Sequence, residues 1–492
     1  MKEQCRETKE KAESLSESEE ERLDFISSVP DSILSYILSF LPTREAVLTS
    51  ILSSRWRTVW TLVPTLDLDQ GKLPKTFVDQ SSCTTLGDIL SNLWMLRNTV
   101  PNSTPIQKLR IHWFTHCFPL HAHTWIRANI LHGLQDLDLS ISTPLELPRC
   151  LFSCTTLVLL KLKGQFLLNP VPSASTLPSL RTLLLQRVYY ANPNSLSTLL
   201  AACPVLQDLT LTVFGSDLEH LDNNAAAAKF NIIVLVPTLE TFVLRLKDLW
   251  YSHKIQINTP ALKSFQFLGW LGEDVVLENL PNLVKLFLHA EKQIFTSFKE
   301  YSNRVLDFMR PLYNVKSMEF DIKAAQFLNH ASKIDDVPMF HNLFSLKFYG
   351  GLWWCKSYVW NAVRPFLCRA PKLQTLAFEL TNCSGYGCYA PVDCLEEPLD
   401  VPECLSSRLT TCYHKGFSGN DIEMQLVRQI LKAARVLKTM NITVGSDLDS
   451  KAKLHIHEEL LTSLVSGDFV PWLLNKFYHY NLCCGGLIDP CM

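Results

Sequence analysis

The sequence predicts an α/β protein in which a small helical segment precedes a long, curved solenoid of strands that ends in a cap. Three observations support this fold class. Apolar residues recur at helical spacing between Asp31 and Trp60. A six-residue pattern, apolar-x-x-apolar-x-apolar, then occurs eleven times between Ile106 and Phe378. A final amphipathic helical pattern begins near Asn420.

The composition indicates a globular protein with a large core and no overall attraction to polyanions. The chain has 46 Lys and Arg against 48 Asp and Glu, a formal charge of −2, and 47% hydrophobic residues. A near-neutral chain has no overall field that draws it to nucleic acid or to an anionic membrane. Its 16 Cys among 492 residues are too sparse for a secreted disulfide scaffold.

Residues 1–22 are predicted to form a disordered acidic leader, because they carry eight acids, five bases and little apolar surface to bury. They contain no apolar run of the kind that a signal peptide requires. The most apolar window, Ile232–Leu246, is interrupted by Pro237 and is too short and too polar to span a bilayer. We therefore expect an intracellular protein of the nucleus, the cytoplasm or both, with no membrane partner and no nucleic-acid partner.

Two short amphipathic helices are predicted before residue 64. The first runs from Asp31 to Leu41, with Pro30 in its first turn and Pro42 closing it. Thr43 is expected to cap a second helix that continues to Trp60. Two helices in about 35 residues cannot enclose a core of their own, so their apolar faces require a partner.

The stretch Ile26–Asp69 resembles a plant-type F-box through its ProAsp start, its SerPheLeuPro junction, its ArgTrpArg turn and its final ValPro. The resemblance implies an F-box domain over residues 24–70 that docks onto a Skp-type adaptor and, through it, onto the cullin and RING subunits of a ubiquitin ligase. Val29 stands where the family usually has Leu, a loss of about 0.8 kcal/mol of apolar burial. The adaptor-facing residues implied by the resemblance are Val29, Pro30, Ile33, Ile37, Leu38, Leu41, Pro42, Val47 and Trp56.

The eleven copies of the six-residue pattern predict a leucine-rich-repeat solenoid over residues 106–395, reached by a linker at 71–105. Successive copies start 21 to 33 residues apart, near the period of such repeats. Because side chains alternate along a strand, the fourth and sixth positions are expected to point into the core of a curved parallel sheet. The ninth position, where the family usually has Asn, holds other residues, among them Val188 and Phe214. The copies begin at Ile106, Leu134, Leu157, Leu180, Leu206, Leu239, Leu262, Leu283, Val315, Leu343 and Leu373.

The opposite side of each predicted strand carries charged and aromatic residues whose signs alternate along the array. Such a surface suits a protein epitope or a small ligand better than a phosphate backbone, which needs a basic track. Exposed aromatic residues anchor many interfaces, so a Trp pair after the tenth copy joins this set, with core filling as the alternative role. The candidate target-binding residues are Asp136, Asp138, Lys161, Lys163, Arg245, Lys285, Phe287, Lys347, Tyr349, Trp353 and Trp354.

The stretch Val401–Val444 resembles the FBD domain that ends many F-box proteins with leucine-rich repeats, which implies an FBD domain over residues 399–465. A helix is predicted there from spacing alone, capped by Asn420 or Asp421, with Glu423 in its first turn. The LeuLysThrMetAsnIle stretch that follows repeats the pattern of the array. We therefore interpret the segment as a final repeat and cap that shields the end of the solenoid. Residues 466–492 form a tail with no assigned role.

These features lead to one main hypothesis, a non-enzymatic subunit of a Skp-cullin-F-box ubiquitin ligase that binds an unidentified target protein through its repeats. The chain has no nucleophile elbow, no P-loop and no pair of zinc-ligand motifs, so neither a cofactor nor a metal is expected. Two alternatives remain open: an F-box receptor that senses a small molecule, and a repeat scaffold that binds no adaptor. A deep pocket in the array would favour the first. Failure to bind an adaptor would favour the second.

Overall fold

The fold is known from a computed structural model, in which the described residues form two compact units, Met1–Leu137 and Asp138–Met492. The predicted leader, the predicted tail after Ser466 and the pair Trp353 and Trp354 lie outside the described residues. Within the described residues, no helix is both long enough and apolar enough to cross a membrane. The described residues are 25–72, 85–99, 104–114, 122–172, 174–217, 230–247, 253–272, 274–278, 280–292, 296–331, 334–351, 359–381, 401–445 and 448–466.

The first unit combines short helices with a pair of parallel strands. Its elements are α1 (Phe25–Ser28), α2 (Asp31–Leu38), α3 (Thr43–Leu48), α4 (Trp56–Val59), β1 (Thr65–Asp69), α5 (Thr85–Thr99), β2 (Lys108–Trp113) and α6 (Ala122–Leu131). Thr65 of β1 pairs with Lys108 of β2, and the register continues along both strands. The segment expected to be a linker thus contains the fifteen-residue helix α5.

The prediction of one continuous second helix is wrong. The chain leaves the α-helix after Leu48, makes a 3₁₀ turn, and re-enters a helix only at Trp56. Ser53 and Ser54 lie in the break, where serine hydroxyls compete for backbone hydrogen bonds and weaken a helix. Thr43 is also not the cap that was expected. It is the first helical residue, and its hydroxyl accepts a hydrogen bond from the amide of Asp67 at 2.7 Å.

The second unit is built on a long parallel sheet. Its first strand, β3, begins with the last two residues of the first unit. The strand order is β3-β4-β5-β7-β9-β11-β13-β14-β15-β16-β17-β18, with β6 paired to β4 and a second sheet ordered β12-β10-β8. The strands are β3 (Asp136–Glu146), β4 (Leu159–Leu168), β5 (Thr182–Gln186), β6 (Tyr189–Tyr190), β7 (Asp208–Phe214), β8 (Phe230–Val234), β9 (Thr241–Lys247), β10 (His253–Asn258), β11 (Ser264–Trp270), β12 (Asp274–Glu278), β13 (Lys285–Glu291), β14 (Ser317–Asp321), β15 (Ser345–Gly351), β16 (Thr375–Thr381), β17 (Thr411–Phe417) and β18 (Thr439–Val444). The helices are α7 (Ser195–Ala201), α8 (Phe298–Met309), α9 (Ile322–Ala331), α10 (Val359–Cys368), α11 (Glu403–Ser407), α12 (Asp421–Ala433) and α13 (Ser450–Ser466).

The repeats stack in one continuous parallel register. Thr182 of β5 pairs with Asp208 of β7, which pairs with Thr241 of β9, and the equivalent positions stay paired as far as Thr439 of β18. The fourth and sixth positions of all eleven copies are buried, so the predicted alternation is confirmed. The side chains that alternate with them, at the third, fifth and seventh positions, line the opposite side of the sheet.

Helices and a second sheet complete the core on the buried side of the strands. The ring of Phe308 in α8 lies 6.0 Å from that of Phe265 and 5.3 Å from that of Phe267. The ring of Phe366 in α10 lies 4.9 Å from that of Phe320. The second sheet, β8, β10 and β12, buries apolar residues such as Ile255, and the repeat pattern gave no indication of it.

The carboxyl-terminal segment adds two strands to the sheet, β17 and β18, and then packs helices against it. Strand β18 is the expected final repeat, whereas β17 was missed. The cap residue of α12 is Asn420, whose side-chain oxygen accepts hydrogen bonds from the amides of Ile422 at 3.1 Å and Glu423 at 3.0 Å. The carboxylate of Glu423 accepts in return from the amides of Ser418 and Gly419 and from that of the cap residue Asn420, and this last bond completes a capping box.

Candidate protein-binding surfaces

The helical segment has a small core of its own, made mostly of residues from α2 and the turns around α4. Leu93 of α5 packs against this core from outside the segment that resembles an F-box. The buried members of this core are Leu34, Leu38, Ala46, Val59, Trp60 and Val63.

Arg97, also in α5, ties this helix to the helical segment. Its guanidinium donates to the carbonyl oxygens of Val63 and Thr104, each at 2.8 Å. Burial lowers the pKa of Arg97 to about 10 and these two bonds fasten α5 to the end of the helical segment.

Arg55 fixes the amino-terminal part of the helical segment. Its Nε donates to Oδ1 of Asp31 at 2.7 Å, and its Nη1 donates to the carbonyl oxygen of Ser27 at 2.7 Å. Its Nη2 donates to the carbonyl oxygen of Val29. One planar guanidinium thus holds the turn before α2 at three points.

An apolar surface remains exposed on the same helices. Ile33 is three or four residues before Tyr36 and Ile37, and these are four and three residues before Phe40, so all four share one side of α2 and its end. The rings of Tyr36 and Phe40 meet edge to face, with centroids 5.1 Å apart. A second exposed group lies at the end of α3 and in the turn after it, and consists of Leu48, Ile51 and Leu52. Contiguous apolar surface of this kind is typical of a protein interface.

The predicted adaptor-facing residues fall into three environments. Pro30, Ile33, Ile37 and Leu41 are exposed, and Pro42 is half-buried. Three residues are half-buried and pack against the small core beneath the exposed surface: Val29, Val47 and Trp56. Leu38 is only 2% exposed and is a core residue, so it is not available to a partner in this conformation.

Sequence reasoning missed Tyr36, Phe40, Leu48, Ile51 and Leu52, all of them exposed. The signal that could have found them is the width of the apolar stripe. Helices of four to eight residues can bury only a narrow stripe of side chains. When apolar residues occupy most sides of such short helices, the apolar residues outside that stripe must face outward.

The open side of the long sheet is a network of paired charges along strands β14 to β17. Lys347 lies 2.9 Å from a carboxylate oxygen of Glu379 and 3.3 Å from one of Glu319, and Lys415 lies 2.6 Å from Glu379. The hydrogen bond from Lys415, then that from Lys347, lowers the pKa of Glu379. The hydrogen bond to Glu379 is the largest cause of the raised pKa of Lys347.

An aromatic group lies beside this network. The rings of Phe287 and Tyr349 stack with centroids 4.8 Å apart, and the ring of His289 lies 6.1 Å from that of Tyr349. Nδ1 of His289 is 2.6 Å from the buried carboxylate of Asp321. The hydrogen bonds to Asp321 and then to Glu291 raise the pKa of His289 to about 9, so the imidazole is charged at neutral pH.

The candidate target-binding residues do not form one site. Lys161 and Lys163 lie on β4, whereas Lys347 and Tyr349 lie on β15, seven steps away in the strand order. At about 4.8 Å per strand the two groups are roughly 34 Å apart along the sheet, beyond the reach of one small ligand. The contacts of the candidates also differ along the sheet. Lys163 is 3.9 Å from Asp138, whereas the rings of Phe287 and Tyr349 are in contact.

The other candidates lie at different places on the open side. In the first unit, Asp136 is 3.4 Å from Lys108. Arg245 is half-buried on β9, and Lys285 is exposed at the start of β13. Among the described residues, no group of three or more His, Cys, Asp or Glu side chains is arranged to hold a metal ion.

Comparison with known proteins identifies three domains in the chain. Family models match an F-box domain at residues 26–67, the leucine-rich repeats of FBD-associated F-box protein At5g56370 at 122–226, and an FBD at 396–442. Among similar proteins of Arabidopsis thaliana, putative F-box/FBD/LRR-repeat protein At5g62970 is 29% identical over 87% of this chain and 95% of its own length. FBD-associated F-box protein At5g60610 is 29% identical over 86% of this chain and 100% of its own length. The chain thus carries an F-box, leucine-rich repeats and an FBD in this order, and its resemblance to the plant F-box/FBD/leucine-rich-repeat family is confirmed.

Proposed function

We propose that the chain is the target-recognition subunit of a Skp-cullin-F-box ubiquitin ligase. The F-box would bind a Skp-type adaptor, which in turn binds the cullin and RING subunits, and the repeats would hold the target protein. The chain itself would supply no catalytic residue and no cofactor. Its contribution to ubiquitin transfer would be proximity, because a tethered target meets the conjugating enzyme at a high effective concentration. Such a complex would act in the nucleus, the cytoplasm or both.

One observation carries the adaptor part of this proposal. Of the 23 large apolar side chains that are exposed within the described residues, ten fall between Phe25 and Leu52. A protein that exposed this surface permanently would aggregate, so a stable partner is the expected way to cover it. The extent of the open sheet face supports a macromolecular target, because the candidate residues are spread over roughly 34 Å.

The decisive experiment is co-purification of the full chain with a Skp-type adaptor. The double variant Ile37→Glu and Ile51→Glu places two charges on the exposed apolar surface and should abolish adaptor binding without unfolding the chain. The matched control is Leu235→Glu with Leu454→Glu, which changes two exposed apolar residues of the second unit. The control should bind the adaptor like the unmodified chain. Failure of the unmodified chain to bind at micromolar concentrations would favour the adaptor-free scaffold instead.

The ligase part needs a separate assay. The chain, its adaptor, a cullin and a RING subunit, mixed with the activating and conjugating enzymes, should form ubiquitin chains on a bound target. The same mixture with the Ile37→Glu and Ile51→Glu variant should not. Target modification that proceeded equally with this variant would contradict the proposal.

A further inference from the structure

Two cations share one aromatic ring at the edge of the sheet where β5, β7 and β9 end. The guanidinium carbon of Arg187 lies 5.0 Å from the centroid of Phe214, and Nζ of Lys247 lies 5.7 Å from the same centroid. Each contact is a favourable cation–π interaction, but the ring does not neutralise either charge. Both basic side chains are exposed, so a small region of positive charge faces solvent here.

The strand register places these residues together. Phe214 of β7 pairs with Lys247 of β9, and two residues earlier Thr212 pairs with Arg245. Residues two apart on a strand point to the same side, so Arg245 and Lys247 lie on one side of β9. We call Arg187, Phe214, Arg245 and Lys247 the basic rim.

The backbone around the basic rim is held in an unusual conformation. Arg187 has a φ of 56°, the left-handed region that costs a residue with a side chain about 1 kcal/mol or more, and its amide donates to the carbonyl oxygen of Thr212 at 3.3 Å. The amide of Phe214 donates to Oδ2 of the buried Asp217 at 2.9 Å. These bonds fix the backbone that carries the Arg187 cation and the Phe214 ring. A fixed backbone loses less conformational entropy when a ligand binds.

The cations of the basic rim are not paired with carboxylates in the way that the lysines elsewhere on the open side of the sheet are. On β14 to β17, Lys347 and Lys415 are each within salt-bridge distance of a carboxylate. In the described part of the chain, Arg187, Arg245 and Lys247 form no salt bridge. Among the described residues, the nearby acid is Asp217, whose buried carboxylate accepts from the amide of Phe214 and interacts with the charge of Arg187. Within the described residues, three cations against this one acid leave a surplus of positive charge.

We propose that the basic rim binds an acidic segment of the target protein, a run of aspartate or glutamate side chains. This inference rests on the proposed function, because it names the class of target that the repeats would recognise. An extended peptide spans several strands and brings several carboxylates, whereas a nucleic-acid backbone needs a continuous basic track. Beyond β9 the track ends, since His289 on β13 is already paired with Asp321 and Glu291.

The test measures binding of fluorescein-labelled peptides to the full chain by fluorescence anisotropy. The probe is an eight-glutamate peptide, compared with the same peptide carrying glutamine and with one carrying two phosphoserines between glutamines. We expect the glutamate peptide to bind, the glutamine peptide not to bind, and affinity to fall as salt rises from about 0.05 to about 0.5 M. The variant Arg187→Gln with Lys247→Gln should weaken binding at least about tenfold.

The matched control is Arg181→Gln with Lys316→Gln. These residues are exposed, carry the same charges and lie outside the basic rim, so the control should bind within about twofold of the unmodified chain. The single variant Phe214→Leu keeps an apolar side chain but removes the ring that positions the cations, and it should give an intermediate loss.

Each other outcome contradicts the inference. Equal weakening by the control would mean that net charge alone draws the peptide to the chain. Binding of the phosphoserine peptide without binding of the glutamate peptide would overturn the choice of carboxylates. The adaptor test of the proposed function is independent, because it depends on the first unit. A chain that binds its adaptor but no acidic peptide would refute this inference and leave the proposed function intact.

Discussion

Arg55 and Asp31 form an ion pair across 24 residues of the F-box, with Nε and Oδ1 2.7 Å apart. The two residues belong to the ArgTrpArg turn and the ProAsp start, two of the sequence features through which the F-box was recognised. Their side chains are 34% and 47% exposed, so water screens the charge attraction itself. The larger role of Arg55 is to donate to the carbonyl oxygens of Ser27 and Val29, which the ion pair orients.

The two partners should therefore differ in how much they stabilise the F-box. Asp31→Asn should change the free energy of unfolding by less than about 1 kcal/mol, as is usual for an exposed ion pair. Arg55→Ala should cost about 1 to 3 kcal/mol, because two carbonyl oxygens also lose a charged donor. Hydrogen exchange of the amides between residues 25 and 40, followed by mass spectrometry, measures both effects locally. Equal losses for the two variants would show that the ion pair dominates.

Neighbouring residues of α2 should separate stability from adaptor binding. Leu38 is 2% exposed, so Leu38→Ala should lower the free energy of unfolding by about 2 to 5 kcal/mol. Ile37 is 51% exposed, so Ile37→Ala should change stability by less than about 1 kcal/mol while it weakens adaptor binding. Urea unfolding and adaptor titration on both variants test this contrast. Adaptor affinity that depended on Leu38 in a variant shown to be folded would mean that α2 reorients on binding.

Most of the sheet could be predicted from the sequence, because the apolar positions of the leucine pattern are the side chains that each strand buries. Every copy that begins with an aliphatic residue and has aliphatic, Met or Phe side chains at the fourth and sixth positions is a strand with those positions buried. The pattern failed where the buried positions hold other residue types. Strand β17 begins its copy at Leu409, but its core positions hold Cys412 and His414, which do not indicate a strand by hydrophobicity.

The two binding surfaces were less predictable than the fold, for different reasons. The resemblance to an F-box implied which residues face the adaptor, but burial of Leu38 depends on how four short helices pack. Phe214 and Lys247 of the basic rim occupy the ninth motif position of their copies. The absence of Asn at that position was visible in the sequence, whereas its structural consequence was not. Contact between Arg187 and Phe214 requires the left-handed backbone at Arg187. No pattern of residue types in the sequence predicts that backbone conformation.

His414 should be a destabilising residue that Phe can replace. It is 1% exposed, neither ring nitrogen has a hydrogen-bond partner within the described residues, and its neighbours are Phe378 at 5.8 Å and Phe417 at 4.8 Å. Phe occupies the equivalent position of β16, so His414→Phe continues an existing stack. We expect the free energy of unfolding to rise by about 1 to 2 kcal/mol at neutral pH, since an unpaired polar group leaves the core.

The benefit of His414→Phe should grow in acid. Burial lowers the pKa of His414 to about 3, whereas the pKa of an unfolded histidine is about 6.5. The unfolded chain therefore gains a proton below pH 6.5 that the folded chain does not, and stability falls by roughly 2 kcal/mol at pH 5. Urea unfolding at pH 5 and pH 7.5 measures the difference. His341→Phe, at an exposed position, should give no such gain and serves as the control.

His289 should produce the opposite pH dependence. Its Nδ1 is 2.6 Å from Asp321 and its Nε2 is 3.6 Å from Glu291, and the hydrogen bonds to these acids raise its pKa to about 9. Because the folded pKa exceeds the unfolded value of about 6.5, the stabilisation is fully present below pH 6.5 and is lost as the pH rises through 9. The linkage relation gives a loss of at most about 3 kcal/mol. Urea unfolding between pH 6 and pH 9.5 should show this slope in the unmodified chain and in the exposed control His455→Gln, and it should disappear in His289→Gln. If His289→Gln keeps the same alkaline slope, the charge pair with Asp321 is not its source.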